Sequence, residues 1–205
     1  MFTQLGKTKT LALLTLLIYS SAALAGPDKG KNETAITVWI IMFNNPSACL
    51  HDPCMESDIF LPDNPAEAAV CYLGGQSVQA NGRFSVSGRF SAGTIHGCIY
   101  PAEGVALSNV DGAEVHHVLQ QHGWSLASGD GLEDQIGEFL GNCNPACVDS
   151  QFSIHQAADA TAGVSVSDVI RFPPAFTMVE GANTTLTRED GGIRFSVHSR
   201  LDEDD

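Results

Sequence analysis

The sequence TAITVWIIMF, residues 34–43, is the strongest strand signal in the chain. β-branched and aromatic residues favour extended backbone because they pack well on a pleated surface. The second half of this stretch is apolar at consecutive positions, so a strand formed here would bury both of its faces. Residues 34–43 therefore predict a central strand in a sheet that is covered on both sides.

Further strand patterns follow at short intervals, with turn signals between them. Asn81-Gly82 supplies the positive φ angles of a type I′ turn and predicts a hairpin between residues 68–80 and 83–91. The sequence EDGG, residues 189–192, predicts a second hairpin near the C-terminus. The other predicted strands are residues 94–100, 113–121, 151–156, 164–172, 184–188 and 193–198.

One helix is predicted, over residues 130–140. Asp130 and Glu133 have the spacing of a capping box, and Gly141 follows the predicted end. The apolar residues that recur at helical spacing are Leu132, Ile136, Phe139 and Leu140. Many strands with one short helix predict an all-β fold, which is either a single-domain antiparallel sandwich or a partly open barrel.

Residues 1–25 have the features of a secretory signal peptide. Lys7 and Lys9 precede a short apolar run, and SSAALA, residues 20–25, ends in a small-x-small pattern. The run of about nine apolar residues is too short to span a bilayer, which takes about 20. We therefore expect a secreted or periplasmic protein whose mature part has no membrane span.

The predicted organisation after the signal peptide is simple. It consists of a linker (26–33), the β domain (34–200) and an acidic tail (201–205), with 157–166 as a candidate internal linker before the C-terminal hairpin.

The charge balance narrows the class of partner. The 205 residues carry 24 acidic and 10 basic side chains, a net charge of −14, and 43% of them are hydrophobic. Removal of residues 1–25 takes away Lys7 and Lys9 and no acid, which changes the net charge to −16. This composition is too apolar for intrinsic disorder, and it lacks the basic surface that a nucleic-acid-binding protein needs.

The six cysteines all follow the predicted cleavage site. An even number of cysteines in an exported chain predicts disulfides, because the compartment is oxidising. Close spacing favours two of the pairs and leaves the third with the longest loop: Cys49–Cys54, Cys143–Cys147 and Cys71–Cys98. Metal binding by the closely spaced thiols is the alternative interpretation.

The histidines suggest a metal site on the surface. The run EVHHVLQQH, residues 114–122, cannot chelate by itself, because His116 and His122 would lie about 20 Å apart on a strand. In three predicted strands, however, a histidine alternates with apolar residues and would face away from the core. Histidines on adjacent strands have Cβ atoms about 5 Å apart, near enough to share a zinc or copper ion. The candidate ligands are His116, His155 and His198, with Glu114 as a fourth, and the alternative is three unrelated solvent-facing histidines.

The sequence favours binding over catalysis. It contains no Gly-x-Ser-x-Gly elbow, no phosphate-binding Gly-rich loop and no His-Glu-x-x-His motif, so no catalytic residue is predicted. The first hypothesis is a non-enzymatic exported domain that recognises another protein or an envelope component. The alternative is a histidine-based zinc- or copper-binding protein or metalloenzyme.

Overall fold

The computed structural model describes residues 33–79, 83–101, 106–126, 130–139, 142–144, 147–156, 163–166 and 182–199. The predicted signal peptide, the acidic tail, most of both predicted linkers and the end of the predicted strand 164–172 lie outside the described residues. The structure does not test the predictions for these segments.

The described elements are mainly strands. The strands are β1 (Glu33–Phe43), β2 (Ala68–Gln79), β3 (Ser85–Ser91), β4 (Gly93–Thr94), β5 (Cys98–Tyr100), β6 (Ala106–Leu107), β7 (Glu114–Trp124), β8 (Val148–His155), β9 (Gly163–Val166), β10 (Ala182–Glu189) and β11 (Gly192–Ser199). The helices are α1 (Glu56–Ile59) and α2 (Asp130–Gly137).

The strands form two antiparallel sheets that pack face to face. The first sheet has the order β5-β2-β1-β7-β8, and the second has the order β3-β11-β10-β9. Strands β4 and β6 form a separate two-stranded ladder. The chain is therefore an all-β sandwich, as predicted, and of the two predicted architectures the barrel is the one that is wrong.

Strand β1 lies at the centre of the first sheet, with β2 on one side and β7 on the other. Every residue of β1 after Glu33 is buried. Alternate residues, among them Ile36, Val38, Ile40 and Met42, pack in the core between the two sheets. The prediction of a strand buried on both faces is confirmed.

Among the described residues, helix and loop segments cover the outer face of β1 and no third sheet packs there. Trp39, Ile41 and Phe43 pack there against Ile59 of α1 and other residues of the segment that joins β1 to β2. Phe139, which follows α2, adds an edge-to-face contact with the Trp39 ring at 5.0 Å between centroids. This cover also buries the outer face of β7, which matters for the histidines.

The predicted hairpin at Asn81-Gly82 is wrong, because β2 and β3 belong to different sheets. Strand β3 pairs with β11 from Ser85↔His198 to Ser91↔Gly192. The two strands instead face each other across the sandwich, where a Cβ at Gly74 would lie 2.9 Å from Val86 and one at Gly88 would lie 2.7 Å from Leu73. The predicted turn residues, Asn81 and Gly82, lie outside the described residues.

The C-terminal hairpin and the helix agree better with their predictions. Strands β10 and β11 pair in register up to Glu189↔Gly192, and Gly191 in the turn has a φ of 76°. Helix α2 begins at Asp130 as predicted and ends at Gly137, three residues early, because glycine is a weak helix former. Helix α1, a single turn, was not predicted.

The three disulfides pair as the spacing predicts: Cys49–Cys54, Cys71–Cys98 and Cys143–Cys147. Cys71–Cys98 joins β2 to the edge strand β5. The other two close loops with sequence separations of 5 and 4. Three disulfides suggest an oxidising, extracellular-type environment. Among the described helices, none has the length and apolarity needed to cross a membrane.

The long-loop disulfide should contribute most to stability. Loop-closure entropy gives about 3.5 kcal/mol for the 27-residue separation of Cys71–Cys98 and about 2 kcal/mol for Cys143–Cys147. We expect Cys71→Ala/Cys98→Ala to lower the free energy of unfolding more than Cys143→Ala/Cys147→Ala does. Urea denaturation of the two variants measures this, and an equal loss would contradict the entropic argument.

Candidate functional site

Strand β7 is lined with buried polar side chains. It lies between β1 and β8, and all of its residues except Trp124 are buried. The buried polar residues are Glu114, His116, His117, Gln120, Gln121 and His122. The prediction that Glu114 and His116 face solvent is wrong, because the outer face of β7 is covered.

Glu114 and His116 do meet, as their alternation predicts. His116 Nε2 lies 2.6 Å from Glu114 Oε1, and the imidazole packs on the ring of Phe43 with centroids 5.2 Å apart. The same carboxylate oxygen accepts a hydrogen bond from the backbone N–H of Cys54 at 2.8 Å. The pair therefore anchors the Cys49–Cys54 disulfide loop to β7.

His155 lies on the other side of the sheet. It pairs with Val115 in the β7–β8 ladder, so it shares the inner face with that residue. It is fully buried, whereas the alternation argument placed it outward. The prediction is wrong because both faces of this sheet are covered, so that alternation of polar and apolar residues does not show which face is the core. A hydrogen-bonded imidazole can then lie inward, as His155 does.

A hydrogen-bonded chain links two buried histidines between the sheets. Thr184 Oγ1 donates to Ser153 Oγ at 2.7 Å. Thr184 Oγ1 also lies 3.3 Å from His155 Nε2, and Ser153 Oγ lies 3.3 Å from His117 Nδ1. The two imidazole centroids are 5.0 Å apart. These contacts give each imidazole a hydrogen-bond partner at one ring nitrogen, which reduces the cost of burying it in the core.

His198 is exposed on β11 and lies 2.8 Å, through Nδ1, from Ser85 Oγ. The four predicted ligands are thus distributed over the outer face of the first sheet, the core and the surface of the second sheet. In the described part of the chain they do not form a group of three ligand atoms within reach of one ion. The geometry brings together Glu114 and His116 and separates the rest.

A different group could hold a metal ion: His122, Cys143 and Cys147. Their ligand atoms all lie within 4.8 Å of one another, and His122 Nδ1 is 3.5 Å from Cys147 Sγ. His122 is buried, Cys143 is exposed and Cys147 is half-buried. Because the two cysteines form a disulfide in this structure, neither offers a thiolate in this state. Metal binding by closely spaced cysteines was one interpretation of the sequence, but His122 was not predicted as a ligand beside them.

The cysteine loop is held beside His122 by backbone hydrogen bonds. Asn144 N–H donates to the carbonyl of His122 and Trp124 N–H donates to the carbonyl of Asn144, both at 2.8 Å. Gln135 of α2 is fully buried, and its Nε2 donates to the carbonyl of Asn142 at 3.0 Å. The backbone hydrogen bonds of Asn144 join segments about 20 residues apart, so no short spacing in the sequence could have indicated them.

Comparison with models of known protein families, with curated proteins and with solved structures found no match.

The buried pair of histidines predicts a pH-dependent stability. Burial, together with the nearby imidazoles of His155 and His116, lowers the pKa of His117 from its ordinary 6.5 to about 3. Between pH 6.5 and 3 the unfolded chain binds a proton at His117 that the folded chain does not bind. The free energy of unfolding therefore falls as the pH is lowered through this range.

We expect His117→Gln to remove about 2 kcal/mol of the stability difference between pH 7.5 and pH 5. Urea denaturation at several pH values measures this difference. His198→Gln is the matched control, because the imidazole of His198 is exposed in the folded chain. Equal pH dependence in wild type and His117→Gln would show that His117 is not held neutral by burial.

Proposed function

We propose that this chain is an exported, non-enzymatic binding domain that recognises a basic surface of another protein. The recognition surface is the loop patch, which we define as Leu50, Met55, Phe60, Ile99 and Tyr100. Export is supported by the signal-peptide features of residues 1–25 and by the three disulfides.

Exposed apolar side chains carry the proposal. In the part of the chain that the structure describes, the exposed large apolar side chains are Leu50, Met55, Phe60 and Ile99, and Leu50 is 73% exposed. Three of them come from the short segment around α1, and Phe60 contacts the ring of Tyr100, the neighbour of Ile99, at 5.4 Å between centroids. Apolar side chains that cluster on the surface of a folded domain are a typical mark of a protein-binding site, and the Phe60–Tyr100 contact links the α1 segment to β5 in this cluster.

The loop patch is held in place before any partner arrives. The buried carboxylate of Asp58 accepts hydrogen bonds from the backbone N–H groups of Leu50 at 2.8 Å and Met55 at 2.7 Å. Burial opposes ionisation of Asp58, but these hydrogen bonds and the nearby imidazole of His51 lower its pKa. The Cys49–Cys54 disulfide closes the same loop. A surface fixed in this way loses little conformational entropy on binding.

The charge around the patch favours a basic partner. No Lys or Arg occurs in residues 32–82, which include three of the five residues of the loop patch and the exposed acids Asp52 and Glu56. Complementary charge increases the rate of association and disfavours partners of like charge. A second copy of this acidic chain would place acids against acids, so the expected partner carries Lys or Arg around an apolar side chain.

Site-specific photocrosslinking in the producing cells tests the proposal. With p-benzoylphenylalanine in place of Phe60 in the full chain, we expect crosslinking to one protein whose contact peptide is basic and apolar. The same photoreactive group in place of Ser87, which is exposed on β3 of the other sheet, is the positional control and should not give this product.

Charge reversal provides the second arm of the experiment. We expect Glu56→Lys to reduce the crosslinking yield about threefold or more, because it places a positive charge at the edge of the patch. Glu133→Lys on α2 is the matched control, since it makes the same charge change at an exposed position outside the patch. Identical products at positions 60 and 87, a crosslink to a second copy of this chain, or insensitivity to Glu56→Lys would each overturn the proposal.

A further inference from the structure

His122 and Cys147 already have the spacing of two ligands of one zinc ion. Tetrahedral zinc with a sulfur at 2.3 Å and a nitrogen at 2.0–2.1 Å separates those two atoms by about 3.6 Å. The distance from His122 Nδ1 to Cys147 Sγ is 3.5 Å. The Sγ atom of Cys143 lies within 4.8 Å of the other two ligand atoms.

We propose that reduction of the Cys143–Cys147 disulfide creates a zinc site in which both thiolates and His122 Nδ1 bind the ion. This proposal does not depend on the loop patch, which lies in other segments of the chain. Two thiolates and an imidazole are a ligand set that zinc prefers, and three protein ligands leave one coordination position for water.

The chemistry balances with a dithiol as reductant. The dithiol transfers two electrons and two protons to the disulfide, so that the S–S bond of Cys143–Cys147 breaks and the dithiol becomes a cyclic disulfide. Zinc then replaces the two thiol protons, which are released to solvent. A small-molecule disulfide reverses the sequence, because it accepts the two electrons of the thiolates and two protons from solvent as the Cys143–Cys147 bond re-forms and the ion leaves. The zinc site therefore exists only where the dithiol reductant is present.

The imidazole of His122 is oriented for this role by a neighbouring hydroxyl group. Its Nε2 lies 2.8 Å from Thr37 Oγ1, which also accepts a hydrogen bond from Trp39 Nε1 at 2.9 Å. In the zinc-bound form Nε2 keeps the proton and donates a hydrogen bond to Thr37 Oγ1, so that the lone pair of Nδ1 points to the ion. A metal-binding histidine is commonly fixed by such a hydrogen bond on its other nitrogen.

The cysteine loop is positioned without the disulfide. Backbone hydrogen bonds join Asn144 to His122 and Trp124, and the side chain of Gln135 holds the carbonyl of Asn142. When the S–S bond breaks, these contacts keep both thiols near His122. The sulfur atoms need to separate only from about 2 Å in a disulfide to about 3.8 Å around zinc.

Solvent access distinguishes this disulfide from the other two. Cys143 is exposed, so a reductant and an ion can both reach it. Each of the other two disulfides, by contrast, joins a half-buried cysteine to a buried one, Cys49 to Cys54 and Cys98 to Cys71. The proposal therefore assigns a reversible role to Cys143–Cys147 and a structural role to the other disulfides.

Metal titration of the full chain, produced without an affinity tag, tests the proposal. The protein is compared as isolated and after treatment with dithiothreitol, which is then removed under anaerobic conditions. We expect the reduced protein to bind one Zn²⁺ per chain against a chromophoric chelator, and the oxidised protein to bind at least about 100-fold more weakly. Co²⁺ should give the absorption bands of a four-coordinate site with sulfur ligands.

Matched variants identify the ligands. We expect Cys143→Ser/Cys147→Ser to lose the high-affinity site, and Cys49→Ser/Cys54→Ser, which removes the other short-loop disulfide, to keep it. Cys143→Ser alone changes an exposed side chain and serves if the double variant does not fold. Thr37→Val should weaken binding about 10- to 100-fold through the orientation of His122.

Two results would overturn the proposal. One is a reduced wild-type protein that binds no more zinc than the oxidised protein. The other is full zinc affinity in Cys143→Ser/Cys147→Ser or in the single Cys143→Ser variant, which would place the ion elsewhere.

Discussion

The burial of β1 on both faces is the constraint on which the rest of the structure depends. Its inner face packs against the second sheet, whereas its outer face is equally apolar and, in the part of the chain that the structure describes, packs against helix and loop segments. The chain covers that face with the segment between β1 and β2 and with α2. Irregular backbone that is buried needs hydrogen-bond partners outside a ladder. The buried polar side chains Asp58, Glu114 and Gln135 supply them.

This constraint explains how much of the fold the sequence predicts. Strands such as β1, β2 and β11 were found because their apolar residues recur at strand spacing. The cover was not found, since residues 44–67 have no periodic pattern and their conformation depends on single contacts such as those of Asp58. The Asn81-Gly82 pattern indicated a turn but could not show that β2 and β3 belong to different sheets. The sheet of β3 is decided by its pairing with the distant strand β11.

The candidate sites separate along the same line. Disulfide pairing follows from loop length and was predicted, whereas the surface histidine site assumed that polar residues on a strand face solvent. On β7 the covered outer face buries His116, and on β8 the hydroxyl groups of Ser153 and Thr184 allow His155 to lie in the core. His122 lies beside the two cysteines because its neighbour Gly123 forms an isolated β-bridge with Asn144. No local sequence pattern indicates this pairing.

The central strand also has a consequence for folding. Ile40 pairs with His117, about 80 positions later in the chain, so β1 must wait for a distant segment before it is covered. Contacts of such long range make folding slow, and an uncharged apolar strand that stays unpaired is prone to aggregate. Among the residues of β1 only Glu33 is charged, so the strand carries little protection of its own. The net negative charge of the chain therefore matters in the unfolded state. Repulsion between unfolded copies opposes aggregation until β7 has paired with β1.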